Sequence, residues 1–394
     1  MRRLTGAFCA LVAVVSVFAA AVHADARPRV DAAIGFTIAP LEDGAHRLTV
    51  HMPDGRNNAP GPVLHTYVLV PRAQLDADRL PADAPPSGPD VTVLAVPLAR
   101  VITTSTTEVG ALDALGAIDR LVGVDDPRYL TSAAARARVE AGLVQAVGGA
   151  SGLDPERVVA AAPDAVFAAG FGPRLDPRGT FDRLRGAGVP VVAMPSFLET
   201  HPLGRAEWIK VVGLLVGDYA KADAFYRAVA ERYRALATMG RAAGGATTAP
   251  RVLTGLPQGD TWFVPGGRSF FAQLLRDAGL RYLWADDDRV GSLPLDLETV
   301  LQRAADADVW IQPGLARSLA DLTARDPRYA ALPPVAKRQV YNNDLRLGPG
   351  GSSNDYWERG TLRPDEVLAD LLRLMHPGLL NGHQPVYHRR LPAE

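Results

Sequence analysis

The longest periodic pattern in the chain lies between residues 205 and 243. Apolar residues recur there at intervals of three and four, at positions 208, 212, 215, 219, 222, 226, 229, 233 and 236. That spacing places them on one face of an α-helix, and no proline occurs between Pro202 and Pro250. The pattern therefore predicts one continuous helix of roughly 50 Å, at 1.5 Å per residue. Such a helix either packs on one large domain or forms a rigid spine between two.

Short apolar runs alternate with helical patterns on both sides of this predicted helix. Examples are Val91–Val96 and Ala165–Ala168 before it and Val309–Pro313 after it. Alternating strands and helices favour a parallel sheet. The predicted fold class is α/β, with two similar α/β lobes at residues 91–204 and 246–394. One long rigid helix, residues 205–245, joins them.

Residues 25–90 have a different pattern. Arg47–Met52 alternates polar and apolar positions, a turn-rich cluster follows, and Leu80–Asp90 is rich in proline and aspartate. This composition predicts a small β-rich appendage with a linker.

Two segments of the chain share a sequence pattern at identical spacing. Residues 154–166 and 296–308 both follow Asp-x-Glu-x-Val-x-x-x-Ala-x-Asp-Ala. Asp154 and Asp296 are predicted N-caps, with Glu156 and Glu298 in the first turn, where the helix dipole favours a carboxylate. Two unrelated βα units could share these acids for that reason alone. The presence of one copy on each side of the predicted helix favours duplicated lobes.

The first residues have the pattern of a signal peptide. Arg2 and Arg3 precede an uncharged apolar run, Ala7–Ala21, and small residues follow it up to Ala24. This predicts a cleaved signal over residues 1–24 and a periplasmic protein. A membrane anchor is disfavoured because a spanning helix needs about 20 apolar residues. Lipid attachment at Cys9 is disfavoured because that residue starts the apolar run.

Composition narrows the possible functions. The 394 residues include 42 basic and 43 acidic ones and are 47% hydrophobic. Such a chain is typical of a globular protein, and its balanced charge predicts no nucleic-acid partner. The single cysteine allows no intramolecular disulfide. A secreted enzyme stays an alternative, although the chain has no G-x-S-x-G, H-E-x-x-H or dinucleotide-binding motif. Direct binding of a free metal is disfavoured. Such sites use several histidines and carboxylates, and of the histidines only His201 falls in a loop expected to face a ligand.

Several further segments occur in a familiar order. Thr106-Thr107-Glu108 precedes Leu112–Gly116, then come Leu153–Val158, Glu199–Ile209 and Gly350–Pro364. From about residue 100 to 380 the chain resembles the periplasmic substrate-binding proteins of ABC importers for metal chelates, the ferric-siderophore and cobalamin class. The resemblance implies a monomeric receptor without catalytic residues or cofactor. It would capture a ferric siderophore between two lobes and deliver it to a permease dimer in the inner membrane. A corrinoid or haem is the alternative ligand.

The resemblance also implies where the functional residues lie. Ligands of α/β proteins bind at the carboxyl ends of strands, so the loops there are expected to line the cleft. Glu156 and Glu298 match the glutamates with which the family meets arginines of the permease. The expected ligand-binding residues are Thr107, Glu108, Phe171, Arg174 and Glu199 in the first lobe and Trp262, Arg268, Arg346, Tyr356 and Trp357 in the second. Aromatic members would stack on the chelate, and arginines would pair with its anionic groups.

Overall fold

The computed structural model describes residues 28–54, 58–75, 79–149, 152–170, 176, 178–245 and 248–394. The predicted signal peptide, residues 1–24, lies outside the described residues. Within them, no helix is long and apolar enough to cross a membrane.

A four-stranded sheet forms the N-terminal appendage. Its strands lie in the order β1-β2-β3-β4, antiparallel except for β3 and β4. The Tyr67 hydroxyl joins the sheet to the first lobe, since it donates to the carbonyl of Val191 (3.0 Å) and accepts from the N–H of Ala193 (2.8 Å). The elements are β1 (Phe36–Pro40), β2 (His46–Asp54), β3 (Ala59–Pro71), α1 (Arg72–Leu75) and β4 (Val91–Val96).

The position of β4 corrects one predicted boundary. Val91–Val96 was predicted to open the first lobe, but it pairs with β3 and completes the appendage sheet. A short apolar run predicts a strand and not the sheet that the strand joins.

The first lobe contains a parallel sheet in the order β11-β10-β5-β6-β7, which confirms the predicted α/β class. A two-stranded antiparallel pair, β8-β9, lies between β7 and β10 in the chain. The elements are β5 (Val101–Thr103), α2 (Thr106–Leu115), β6 (Leu121–Val124), α3 (Ala133–Glu140), β7 (Gln145–Ala146), β8 (Gly148–Gly149), β9 (Gly152–Leu153), α4 (Pro155–Ala160), β10 (Ala165–Ala168), α5 (Thr180–Gly186) and β11 (Val191–Ala193).

Three helices replace the single helix predicted over residues 205–245. They are α6 (Pro202–Glu207), α7 (Ile209–Val216) and α8 (Tyr219–Ala243). Gly217 ends α7 in the left-handed conformation, at φ 79°, which glycine adopts without strain. The chain then turns so that α8 packs on α7. The two helices approach so closely at Gly213 that a Cβ on this residue would collide with Ala222. Both helices bury apolar residues, so the apolar pattern of residues 205–243 continues across the turn at Gly217. The long helix is α8, of 25 residues, about 37 Å.

The second lobe has the order β15-β12-β17-β18-β19, with only β19 antiparallel to its neighbour. A small antiparallel sheet, β13-β14-β16, packs beside it. The elements are β12 (Arg251–Thr254), β13 (Pro257–Gln258), β14 (Thr261–Pro265), α9 (Phe270–Asp277), β15 (Arg281–Tyr282), β16 (Ser292–Leu295), α10 (Leu297–Ala304), β17 (Val309–Ile311), α11 (Leu319–Arg325), α12 (Pro333–Ala336), β18 (Val340–Asn342), a π-helix (Tyr356–Gly360), α13 (Pro364–Met375) and β19 (Arg389–Arg390).

A buried lysine holds the start of the described chain against α6 and α7. Lys210 is fully buried, and its Nζ lies 2.8 Å from Glu207, 3.1 Å from Asp31 and 3.2 Å from Asp223. Glu207 also accepts the backbone N–H groups of residues 31, 32 and 33. Burying an ammonium group is tolerated only when it is paired and hydrogen-bonded in this way.

Replacing Lys210 tests how much this cluster contributes to stability. Lys210→Met leaves Glu207 buried without its cation, so we expect the free energy of unfolding to fall by about 3–5 kcal/mol. Urea unfolding followed by circular dichroism measures the change. The matched control is Lys337→Met at an exposed position, which should change stability by no more than about 0.5 kcal/mol. Equal losses in the two variants would contradict the role of the cluster.

Candidate functional site

A cleft of about 870 Å³ lies between the two lobes. Its walls come from the carboxyl ends of β5 and β6 in the first lobe and of β17 and β18 in the second. This is the edge at which ligands of parallel sheets bind. The lining residues are Thr106, Arg128, Tyr129, Gln312, Gly314, Leu315, Arg317, Asn342, Asn343, Asp344, Leu347, Gly350, Gly351, Ser352, Asn354 and Trp357.

Large apolar side chains face this cleft from both lobes. Tyr129 of the first lobe is 53% exposed, and Trp357 and Leu315 of the second are 46% and 92% exposed. Three large exposed apolar side chains on one cleft are unusual for a surface that faces only water. The three side chains therefore form a surface on which a flat or apolar ligand could pack.

The charges in the cleft favour an anion. Arg128 is held by Asp126 through two guanidinium nitrogens, at 2.6 and 3.0 Å, and these bonds lower the pKa of the Asp126 carboxyl. Asp344 is already paired with Arg389 at 2.6 Å. Among the described residues, no carboxylate lies within 4.0 Å of the Arg317 guanidinium, so its charge is available to a ligand.

Next to the cleft, the two lobes are joined by the contact between α2 and the π-helix. The Glu358 carboxylate accepts the backbone N–H groups of Thr131 (2.6 Å) and Ser132 (2.7 Å), across the boundary between the lobes. Thr107 donates its hydroxyl to the carbonyl of Trp357 at 3.1 Å. The predicted ligand residue Thr107 is thus buried where it joins the lobes, and it does not line the cleft.

Two aromatic residues predicted to stack on the ligand are buried instead. Trp262 is fully buried against Trp310 and Tyr329, and its Nε1 donates to the carbonyl of Thr254. Tyr356 is 4% exposed and packs edge-on against Trp357 and other rings. The prediction is corrected for both, since neither ring lines the cleft.

The two glutamates predicted in the cleft of the first lobe are also buried. Glu199 accepts the N–H groups of Ile34 and Gly35 and the Nε1 of Trp208, at 2.9–3.0 Å. Glu108 is 2% exposed on the first turn of α2, and burial raises its pKa to about 8. Both predictions are corrected: Glu199 anchors the N-terminal segment, and Glu108 lies inside the first lobe.

Two of the predicted arginines, Arg268 and Arg346, are not among the residues that line the cleft. Arg268 forms an ion pair with Asp288 at 2.7 Å. Arg346 lies 2.9 Å from Asp355 and lines a neighbouring cavity of about 680 Å³. The remaining two predicted residues, Phe171 and Arg174, lie outside the described residues.

Sequence reasoning missed several residues of the cleft, among them Arg128, Tyr129, Leu315 and Arg317. The loops that carry them directly follow β6 and β17, so the rule on strand ends could have found them. A second signal was available, because Asp-Pro-Arg-Tyr occurs at residues 126–129 and again at 326–329. In both copies the aspartate binds the following arginine.

The repeated acidic pattern falls on equivalent elements of the two lobes. Glu156 lies on α4 and Glu298 on α10, and each helix leads into the strand beside the first strand of its sheet. Asp154 and Asp296 cap the helices as predicted, through backbone N–H groups at 3.0 and 2.8 Å. Both glutamates are exposed, although Arg328 lies 2.6 Å from Glu298.

The described part of the chain contains no cluster of three or more His, Cys, Asp or Glu side chains that could hold a metal ion.

Comparisons with known proteins agree with this architecture. The profile of one family, described as periplasmic binding protein, matches residues 101–346. An uncharacterised lipoprotein of Methanocaldococcus jannaschii is 25% identical over 307 residues, which cover 75% of this chain and 70% of that protein. A periplasmic haem-binding protein of Pseudomonas aeruginosa superposes with a TM-score of 0.53 at 23% identity, over 73% of this chain and 95% of that one. A nickel–histidine complex of Helicobacter pylori CeuE gives 0.54 at 15% identity, over 73% and 86%. These likenesses show the fold.

The buried Glu108 predicts a pH dependence of stability. In the folded chain the pKa of its carboxyl is about 8, whereas the ordinary pKa of a glutamate is about 4.5. The folded state therefore binds more protons between these values, and the free energy of unfolding falls as the pH rises, by up to ~1.4 kcal/mol per unit. Glu108→Gln should flatten this slope in urea unfolding at pH 5 to 8. The exposed control Glu140→Gln should keep it; a slope shared by all three proteins would contradict the assignment.

Proposed function

The chain belongs to the periplasmic binding protein family, and we propose that it captures an anionic iron chelate between its lobes and delivers it to an ABC importer. The family is one of binding proteins and not of enzymes. The observation that carries the proposal is the cleft, in which Tyr129, Leu315 and Trp357 surround a ligand-sized space. Arg317 lies beside it, with no carboxylate of the described residues within 4.0 Å of its guanidinium.

The size and surface of the cleft suit a chelate. Its 870 Å³ lies within the range of about 300–1,000 Å³ for small-molecule sites. Covering an exposed leucine side chain such as Leu315 contributes about 1.5–3 kcal/mol. A ligand with an apolar body would use this gain, while a small hydrated ion would not.

The available charge suits a ligand that carries carboxylates or a net negative charge. Arg317 offers a planar guanidinium from the second lobe, and Arg128 of the first offers Nη1, the guanidinium nitrogen that does not bond to Asp126. Arginine binds carboxylates through two parallel hydrogen bonds. A ferric siderophore, which the sequence analysis favoured, meets these requirements.

Haem is a second candidate for the chelate, and Tyr129 is the observation that favours it. A tyrosine phenolate can serve as an axial ligand of haem iron, and this phenol is half exposed in the cleft. The iron of a hexadentate siderophore is already saturated with ligands and needs none from the protein. The haem-binding protein of P. aeruginosa shares the fold. No described residue favours a corrinoid over these two.

Docking on the permease is the second part of the proposal. Glu156 and Glu298 are exposed on equivalent helices of the two lobes, which suits a partner built from two similar subunits. An exposed ion pair is worth only about 0–1 kcal/mol. Two such ion pairs would therefore mainly fix the orientation of the binding protein on the permease. The bond from Arg328 to Glu298 would exchange for one to the permease.

We place the protein outside the cytoplasm, in the periplasm, on the signal peptide predicted at residues 1–24. The relative from M. jannaschii is named a lipoprotein. Attachment of this chain to a membrane through Cys9 is the alternative, and mass spectrometry of the processed N-terminus distinguishes the two.

Titration of the purified protein with a ferric hydroxamate, a ferric catecholate, cobalamin and haem tests the ligand. We expect quenching of tryptophan fluorescence, because Trp357 lines the cleft. Arg317→Met should weaken binding about 10- to 100-fold, the loss of one charge-assisted contact. Arg276→Met, which removes an exposed charge from α9, is the control. A chain that binds none of the four compounds would contradict the proposal.

The Tyr129→Phe variant separates the two chelates in the same titration. It keeps the ring and removes the hydroxyl. With haem, the visible absorption spectrum of the complex should change because the iron loses an oxygen ligand. With a hexadentate siderophore, the affinity should change little.

Reversing the charge of both glutamates tests docking. Glu156→Lys with Glu298→Lys should abolish ligand-dependent stimulation of the importer in vesicles and leave ligand affinity unchanged. Asp182→Lys with Glu140→Lys, at exposed positions of the first lobe, is the control pair. If ligand affinity falls with the docking pair, the two glutamates belong to the ligand site.

A further inference from the structure

Arg205 is a largely buried cation for which the described residues provide no carboxylate partner. It lies on α6, and its residue surface is 91% buried, since 9% is exposed. Its Nε has no hydrogen-bond partner, and its guanidinium is stacked over the ring of Phe270, 4.6 Å from the centroid. No described carboxylate lies within 4.0 Å of it. Buried guanidinium groups are otherwise paired and hydrogen-bonded, because the cost of leaving them bare is several kcal/mol.

The nearest buried acid does not neutralise this charge. Glu108 lies near enough to influence Arg205 electrostatically, yet the two do not form an ion pair. Burial raises the pKa of the Glu108 carboxyl to about 8, so this group is largely uncharged at pH 7. Burial also lowers the pKa of Arg205, but only to about 10, and the guanidinium stays charged.

A small cavity lies beside Arg205. It measures about 20 Å³ and is bounded by α6, α9, the π-helix and α13. Its other walls are mostly apolar, with Phe270, Leu274, Pro364 and Val367 among them. The space suffices for one water molecule or one ion of similar size. It shares no lining residue with the cleft between the lobes.

We propose that this cavity binds one small monovalent anion of the size of chloride, held by the Arg205 guanidinium. A water molecule would satisfy a hydrogen bond there but would leave the buried charge uncompensated. A carboxylate ligand needs more room than the cavity offers. A halide matches the remaining walls, because it is weakly hydrated and tolerates apolar contacts on the sides away from its donor.

The position of the site gives the anion a structural consequence. Arg205 belongs to the helix that follows the first lobe, whereas Phe270 and Tyr356 belong to the second lobe. Neutralising the charge at this meeting point stabilises the packing of α6 on the second lobe. Because the ion binds only the folded chain, it raises stability by mass action.

Thermal unfolding in sodium chloride and in sodium gluconate at equal ionic strength tests the site. We expect chloride to raise the melting temperature along a saturating curve, and gluconate, which is too large to enter, to give no such rise. Arg205→Met removes the charge and keeps an unbranched apolar stem over Phe270, so the saturating rise should disappear. The control Arg276→Met should retain it. Identical curves in the two salts for the unmodified protein would overturn the proposal.

Bromide in crystals of the unmodified protein provides a test that does not depend on the folding of a variant. An anomalous peak within hydrogen-bonding distance of the Arg205 guanidinium supports the site. Density in the cavity without anomalous signal identifies a water molecule and overturns it.

Discussion

The close contact between α2 and the π-helix sets the geometry on which the binding cleft depends. Gly110 of α2 lies against the carbonyl of Glu358, with no room for a Cβ. The Glu358 carboxylate accepts two N–H groups from the loop that carries Tyr129, while Trp357 is its neighbour in the chain. One contact thus fixes the separation of the two exposed rings, one on each lobe. Burial and the nearby Asp355 raise the pKa of Glu358 to about 6, so the contact carries its full charge above that pH.

Buried charges connect the remaining parts of the molecule in two different ways. Lys210 is surrounded by three carboxylates and anchors the N-terminal segment. Arg205 lies one turn earlier in the helical region, and no carboxylate of the described residues lies within 4.0 Å of it. Each of the two side chains lies between segments that are far apart in the chain. Lys210 contacts Asp31, and Arg205 shares its cavity with Tyr356. Carboxylates of the protein compensate the charge of Lys210. The charge of Arg205 lies instead beside a cavity with space for one small ion.

Local patterns allowed part of this architecture to be predicted. The caps at Asp154 and Asp296 follow from backbone chemistry within three residues, and the strands β10 and β17 from short apolar runs. The break at Gly217 was missed because a one-residue left-handed turn leaves the apolar period intact. Trp262 and Glu199 were misplaced for another reason. Their partners lie far away in the chain, as for Glu199 and Ile34, 165 residues apart, and no local pattern reports such a contact.

Family membership, the α/β class and the repeated acidic helices are therefore readable from the chain, because each depends on neighbouring residues. Which side chains reach the cleft was decided only when the lobes packed together. An aromatic residue in a segment predicted to line the cleft has the same sequence signature whether it is buried, as Trp262 is, or open to a ligand, as Trp357 is. The difference arises from the elements that pack around the residue. Hydrophobic periodicity indicates which face of one element is buried, but not which other elements cover that face.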